Sequence, residues 1–206
     1  MLRLVVAPHM DDESMGCGGL LAKFPDECHV LTIADSGPIR ASEHANAMAA
    51  LGVRNFRNLG FTDGQLDVDM PRLVAALDAA VAVLRPDELY LPFPSLHQDH
   101  IAVYEAGMRT ARVSMSVNHW FPPAVLIYDI AAYDVALYPT DLRFNVFEPL
   151  SAEHVGLKAA ACLAYESEIP GAIHPINSVR EIAAAIGRLR LVAFAEQYAL
   201  VRQVRP

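Results

Sequence analysis

Leu2-Arg3-Leu4-Val5-Val6-Ala7-Pro8-His9-Met10-Asp11-Asp12-Glu13 is the stretch from which the rest of the chain is read. Leu2 to Ala7 is a short run rich in leucine and valine, the pattern of a parallel strand buried on both faces, and Pro8 stops it. From Glu13 the pattern becomes Gly16, Gly18, Gly19, Leu20, Leu21, Ala22, Phe24, which reads as a helix with small residues where it crosses a sheet closely, ended by Pro25. The alternation then repeats: strand His29 to Ala34, helix Ala41 to Leu51 closed by Gly52, strand Asn55 to Leu59, helix Pro71 to Leu84, strand Glu88 to Pro92. Strands alternating with helices of this length imply parallel pairing with right-handed crossovers. The expected fold is therefore α/β, a Rossmann-like three-layer sandwich with a mostly parallel sheet. Beyond it the pattern predicts a helix from Asp99 to Arg112, strands over Ala124 to Ile130 and Phe144 to Phe147, and helices over Ser151 to Tyr165 and Val179 to Phe194. Ser116 to Pro123 and Glu166 to Asn177 read as loops.

At 206 residues with no repeat, low-complexity tract or linker, the chain is expected to form a single domain over 1–206. With 53% hydrophobic residues and a net charge of -8, it buries enough surface to offset its ordering entropy, so disorder is excluded. The acidic balance argues against a nucleic-acid binder, which needs a basic stripe to displace counterions. The longest apolar stretches fall short of a membrane span, and the N-terminus lacks a signal-peptide pattern. Cys17, Cys28 and Cys162 are too scattered for a disulfide framework or a thiolate zinc cage, so a cytoplasmic protein is expected. A homo-oligomer stays open.

Two clusters follow predicted strands, where open α/β sheets place their ligands: His9-Met10-Asp11-Asp12-Glu13 and His97-Gln98-Asp99-His100. Residues three apart across a strand-to-helix turn share one side, so His9 can converge with Asp12, and His97 with His100. If the two strands lie near each other, the two points coincide. Imidazole with carboxylate suits Zn²⁺, or Fe²⁺ at similar geometry, and three protein ligands leave a catalytic zinc its open position. Asp11 and His97 are then available as a base and a partner for the oxyanion or leaving group. Taken singly, an Asp-Asp pair before a helix is more often a cap, and a lone histidine more often a surface residue. Two such clusters after strand ends of one fold favour the catalytic reading.

These residues resemble the LmbE-like N-acetylglucosaminyl deacetylases, the PIG-L family. Its signature is a strand ending in Ala-His-Pro-Asp-Asp-Glu or Pro-His-Pro-Asp-Asp-Glu and a later His-x-Asp-His, standing here as Ala7 to Glu13 and His97 to His100. The likeness extends through Gly18-Gly19, Arg40 with Glu43, Leu51-Gly52-Val53, Asp63-Gly64-Gln65-Leu66, Lys158 to Ser167 and Ala195-Glu196-Gln197-Tyr198. The resemblance implies that His9, Asp12 and His100 bind zinc, that Asp11 is the general base, and that His97 stabilises the oxyanion or protonates the amine. Asp99 would orient a histidine from behind the ligands. It implies removal of an N-acetyl group from a soluble amino sugar or its conjugate, releasing acetate and an amine. Other readings are hydrolysis of another amide on a sugar conjugate and sugar binding without turnover. Met10 replaces the usual proline, Tyr165 and Glu168 stand where the family more often has His and Gln, and Ser95 where some members carry a tyrosine.

Gly16-Cys17-Gly18-Gly19 lacks the third glycine of a dinucleotide fingerprint and reads as close packing, with Cys17 a small buried hydrophobe. Arg40 reads equally as a clamp for an anionic substrate group or as a helix-start residue paired with Glu43. His44 is expected on the helix surface, and His29, His154 and His174 as structural or solvated. Asp67 and Asp69 read as helix-start residues before Pro71. The aromatic segment around His119 and Trp120 is weighed as a sugar-stacking roof against an ordinary packed loop, with the packed loop favoured.

Overall fold

The computed structural model describes residues 1–116, 119–130, 139–168 and 178–205. Among these residues seven strands form one sheet: β1 (Arg3–Ala7), β2 (Cys28–Asp35), β3 (Asn55–Thr62), β4 (Glu88–Pro92), β5 (Ala124–Tyr128), β6 (Phe144–Leu150) and β7 (Phe194–Gln203). Their spatial order is β3-β2-β1-β4-β5-β7-β6. The first five are parallel, and β7 runs antiparallel to both β5 and β6. Among the described residues six α-helices accompany them: α1 (Asp12–Lys23), α2 (Gly37–Leu51), α3 (Met70–Leu84), α4 (Gln98–Thr110), α5 (Ala152–Leu163) and α6 (Val179–Arg188).

Every residue of β1 is buried, and its alternate side chains enter two different cores. Val5 joins Val30, Tyr90, Leu126 and Tyr128 against α1, α2 and α5, while Leu4 and Val6 join Leu31, Ile33, Leu89 and Leu91 against α3 and α4. This is the three-layer sandwich, since a strand covered on both faces needs apolar residues at consecutive positions. The small residues of α1 do what their spacing suggested. A Cβ at Gly16 would clash with the ring of Tyr128, lying 2.1 Å from its Cδ2, and the Tyr128 hydroxyl donates to the Val6 carbonyl at 2.9 Å. Gly18 faces the Lys158 side chain and Gly19 faces Leu150 and Glu196.

Local signals set several boundaries. Asp69 caps α3 by accepting from the Arg72 amide at 3.1 Å, and Ser151 with His154 closes a capping box at the start of α5. The C-terminal part departs from expectation. The helix expected to reach Phe194 ends at Arg188, and Phe194 starts a ten-residue strand with no counterpart in the sequence reading. Gly187 permits this reversal, because a Cβ there would collide with the Phe194 backbone. In β7, Ala195 and Glu196 are both buried at consecutive positions, so this strand is covered on both faces there. The aromatic segment around Trp120 is a packed loop, the favoured of its two readings, and not a roof over the site. Trp120 donates to the Pro86 carbonyl at 3.1 Å, below the start of β4 and at the opposite end of the sheet from His97. His174 and most of the expected 166–177 loop lie outside the described residues.

Candidate active site

β1 and β4 are hydrogen-bonded neighbours, Val5 pairing with Tyr90, so the turns that follow them meet at the same sheet edge. The strand order also reverses here, as β2 lies on one side of β1 and β4 on the other, which opens a crevice at the carboxyl ends. The first turn carries His9, Asp11 and Asp12, and the second carries His97, Asp99 and His100. One nitrogen or oxygen from each of His9, Asp12 and His100 falls within 4.8 Å of the others, and the same holds for His9, His97 and Asp99.

Asp12 sits at the centre. Its Oδ2 accepts from the His9 amide at 3.0 Å and lies 3.3 Å from His9 Nδ1 and 3.4 Å from His100 Nε2. Burial opposes its ionisation, but His100 and His9 outweigh burial and hold the carboxyl far below the usual range. The other side of His9 faces carboxylates as well, with Nε2 3.1 Å from Asp99 Oδ2 and 3.4 Å from Asp63 Oδ1. Burial works against the His9 imidazolium, yet Asp12, Asp99 and Asp63 together raise its pKa to about 9. His100 is fully buried, and its Nδ1 lies 3.1 Å from Ser95 Oγ. Ser95 therefore orients one of the expected ligands. Asp99 also accepts from the Gly64 and Leu66 amides at 2.7 and 3.1 Å, tying the segment after β3 to the start of α4.

Asp11 lines the open cleft beside these groups, together with Ser36, Ile39, Arg40, Asp63, His97 and Glu168. Burial pushes its carboxyl well up, the charges of Asp12 and Glu13 push further, and Arg40 and His9 oppose them. His97 caps α4, its Nδ1 accepting from the Asp99 amide at 3.2 Å, so a neutral ring carries its proton on Nε2. Burial lowers its pKa, and His100 and His9 lower it further. The neutral ring is therefore the favoured form of His97 in this setting.

Arg40 is buried, and its pairing with Glu43 is present at 3.4 Å. The same guanidinium donates to Asp11 Oδ2 and the Met10 carbonyl, each at 3.1 Å, and to Glu168. Glu43 in turn accepts from the Ser167 amide and hydroxyl at 2.8 and 2.7 Å. His44 corrects the expectation of a surface residue. It is buried, with Nδ1 2.9 Å from the Tyr165 hydroxyl, and that hydroxyl donates to Glu13 Oε1 at 2.6 Å. Glu13 also accepts from the Ser14 hydroxyl and the Asp11 amide. The sequence reading gave no role to Glu13 or Asp63. The available signals were the placement of Glu13 beside two aspartates and of His44 one helical turn after Arg40.

The description "PIG-L: GlcNAc-PI de-N-acetylase" belongs to a family model that matches residues 4–111, just over half of the chain and both histidine turns. The chain belongs to this family. It is 26% identical over 179 residues, 80% of this chain and 90% of the relative, to the protein called "Uncharacterized deacetylase YaiS" of Escherichia coli (strain K12). It is 29% identical over 129 residues, 52% of this chain and 59% of the relative, to "Probable N-acetyl-alpha-D-glucosaminyl L-malate deacetylase 2" of Bacillus cereus. Among solved structures it is similar to the conserved protein TT1542 from Thermus thermophilus, at 28% identity and a TM-score of 0.82, covering 100% of this chain and 97% of the other. The PIG-L chain described here thus has the LmbE-like fold, and the two sequence relatives quoted are deacetylases by name.

Proposed function

We infer that this PIG-L protein is a zinc-dependent hydrolase that removes an N-acetyl group from an amino sugar or an N-acetylglucosamine-type conjugate, releasing acetate and a free amine. The observation that carries the reading is the position of Asp11. Its carboxylate is held by Arg40 at the mouth of a cleft, one residue from a compact set of two imidazoles and a carboxylate. That donor set fits Zn²⁺, and Fe²⁺ as a second candidate, because both take nitrogen and oxygen ligands together. His9, Asp12 and His100 would hold the ion. A bound ion of this type polarises an amide carbonyl and lowers the pKa of a coordinated water.

The protein's own groups supply the rest. Arg40 fixes Asp11 Oδ2, which leaves the carboxylate oriented to take a proton from the attacking water and later return it to the departing nitrogen. His97 offers Nε2–H to the oxygen that gains charge, its ring fixed through Nδ1 by the Asp99 amide. Asp99 and Ser95 hold His9 and His100 in place from behind.

A soluble small conjugate is the proposed substrate class, as no helix among the described residues is long and apolar enough to cross a membrane. A cytoplasmic location and a single domain over 1–206 are part of the same proposal, the location supported by three buried free cysteines. Acetate release from a panel of N-acetyl sugars by the zinc-loaded protein tests the activity. Release that disappears on metal removal and in Asp11→Asn is the expected result, and a panel without release by protein shown to hold zinc would refute it.

A further inference from the structure

Two features near this cleft would ordinarily receive an anion, a guanidinium and the N-terminus of a helix. Both are occupied by the protein's own carboxylates. Arg40 meets Asp11, Glu43 and Glu168, and the first amide of α2, that of Gly37, donates to Asp35 at 3.0 Å. Among the described residues, the cleft lining carries the carboxylates of Asp11, Asp63 and Glu168 against the guanidinium of Arg40. Asp63 and Glu168 are each close to half exposed, so their charges face whatever enters, while Arg40 is only 10% exposed. Glu168 is also held in place, because the short turn Glu166–Glu168 is anchored at Ser167 by Glu43.

We propose that Glu168 is a specificity-determining residue which, by occupying Arg40 and adding a carboxylate to the cleft, selects neutral or cationic N-acetyl sugar conjugates and rejects anionic ones. The proposal rests on the deacetylase reading for its substrate core but not for its charge preference. It reverses one of the two roles that the sequence alone left open for Arg40, a contact for an anionic group. A divalent ion at His9, Asp12 and His100 would serve the acetamide end, and the discrimination acts on the part of the substrate lying toward Arg40 and Glu168. A half-exposed carboxylate about 7 Å from a substrate charge changes binding by roughly three- to thirtyfold, depending on the local dielectric, and salt reduces the effect.

The test uses three probes: methyl N-acetylglucosaminide, its 6-phosphate, and the 2-aminoethyl glycoside of N-acetylglucosamine. Binding to the zinc-loaded protein is read by ligand-observed NMR, and turnover by acetate release, in wild type and in Glu168→Gln, which keeps a hydrogen-bond acceptor for Arg40. The expected wild-type order places the 6-phosphate last by at least about threefold. Glu168→Gln narrows the phosphate-to-neutral gap severalfold, and about 0.5 M salt narrows it in wild type. A wild type that prefers the phosphate, a Glu168→Gln variant that shifts all three probes equally, or an absence of binding by all three overturns the proposal. The expected binding order without acetate release would instead sustain the charge selection and overturn the deacetylase reading.

Discussion

Replacing Glu196 by methionine tests how β7 holds the helix that carries the first histidine turn. Its carboxylate is buried and accepts from Lys158 Nζ at 2.7 Å, the Gly19 and Leu20 amides at 2.7 and 2.8 Å, and the Tyr198 hydroxyl at 2.7 Å. Methionine keeps the length of the side chain, so little cavity arises and the loss is electrostatic. Removing one partner of a buried ion pair costs about 3–5 kcal/mol, because the remaining charge is left without compensation. The two amides lie inside α1 and can fall back on helical carbonyls, so we count them at the low end and expect a loss of about 4 kcal/mol against a total stability of about 5–15 kcal/mol. Urea unfolding followed through Trp120, the sole tryptophan, measures it. The double variant Lys158→Met/Glu196→Met removes both charges and should recover most of the loss, with a coupling of at least about 2 kcal/mol. Burial opposes the Lys158 ammonium, yet Glu196 outweighs it and raises the pKa above the ordinary lysine value. The pair's contribution is therefore fully present below the unfolded lysine pKa and is lost only as pH rises through the higher folded value, so the cost should be constant between about pH 6 and 9. A loss under about 1 kcal/mol, or additivity in the double variant, would show that this carboxylate is not what ties α1 to the sheet.

Asp11→Asn should retain zinc by elemental analysis while losing about 100-fold or more in turnover, and Asp12→Asn should lose zinc affinity as well; near wild-type turnover of Asp11→Asn in saturating zinc sinks the base assignment. The wild type should take up close to one equivalent of zinc, with His9→Ala and His100→Ala each depleted, and full occupancy in either variant contradicts the ligand set. His9 is held at about 9 by its carboxylate neighbours and must be neutral to bind metal, so zinc uptake near neutral pH should release a proton and strengthen as pH rises toward that value; calorimetry in buffers of different ionisation enthalpy that shows no proton release refutes it. Tyr165→Phe leaves Glu13 Oε1 and His44 Nδ1 short of a buried partner and should cost about 1–3 kcal/mol in urea unfolding, a loss absent if the hydroxyl is dispensable.

The parallel half of this protein and the two histidine turns themselves were legible from sequence, because both depend on local patterns, whereas the meeting of the turns required β1 and β4 to be neighbours in the sheet. Consecutive apolar residues can be satisfied only in a strand covered on both faces, and strand-to-helix turns place residues three apart on one side. Tertiary structure decided what depends on partners distant in the chain. β7 was not read as a strand because the groups that meet Glu196 come from α1 and α5, 177 and 38 residues away in sequence. His44 looked like a surface residue because the hydroxyl that meets it belongs to Tyr165, 121 residues later. Arg40 looked available to substrate for the same reason. A cation's freedom is set by the carboxylates that reach it in space, and two of the three that do, Asp11 and Glu168, lie 29 and 128 residues away along the chain.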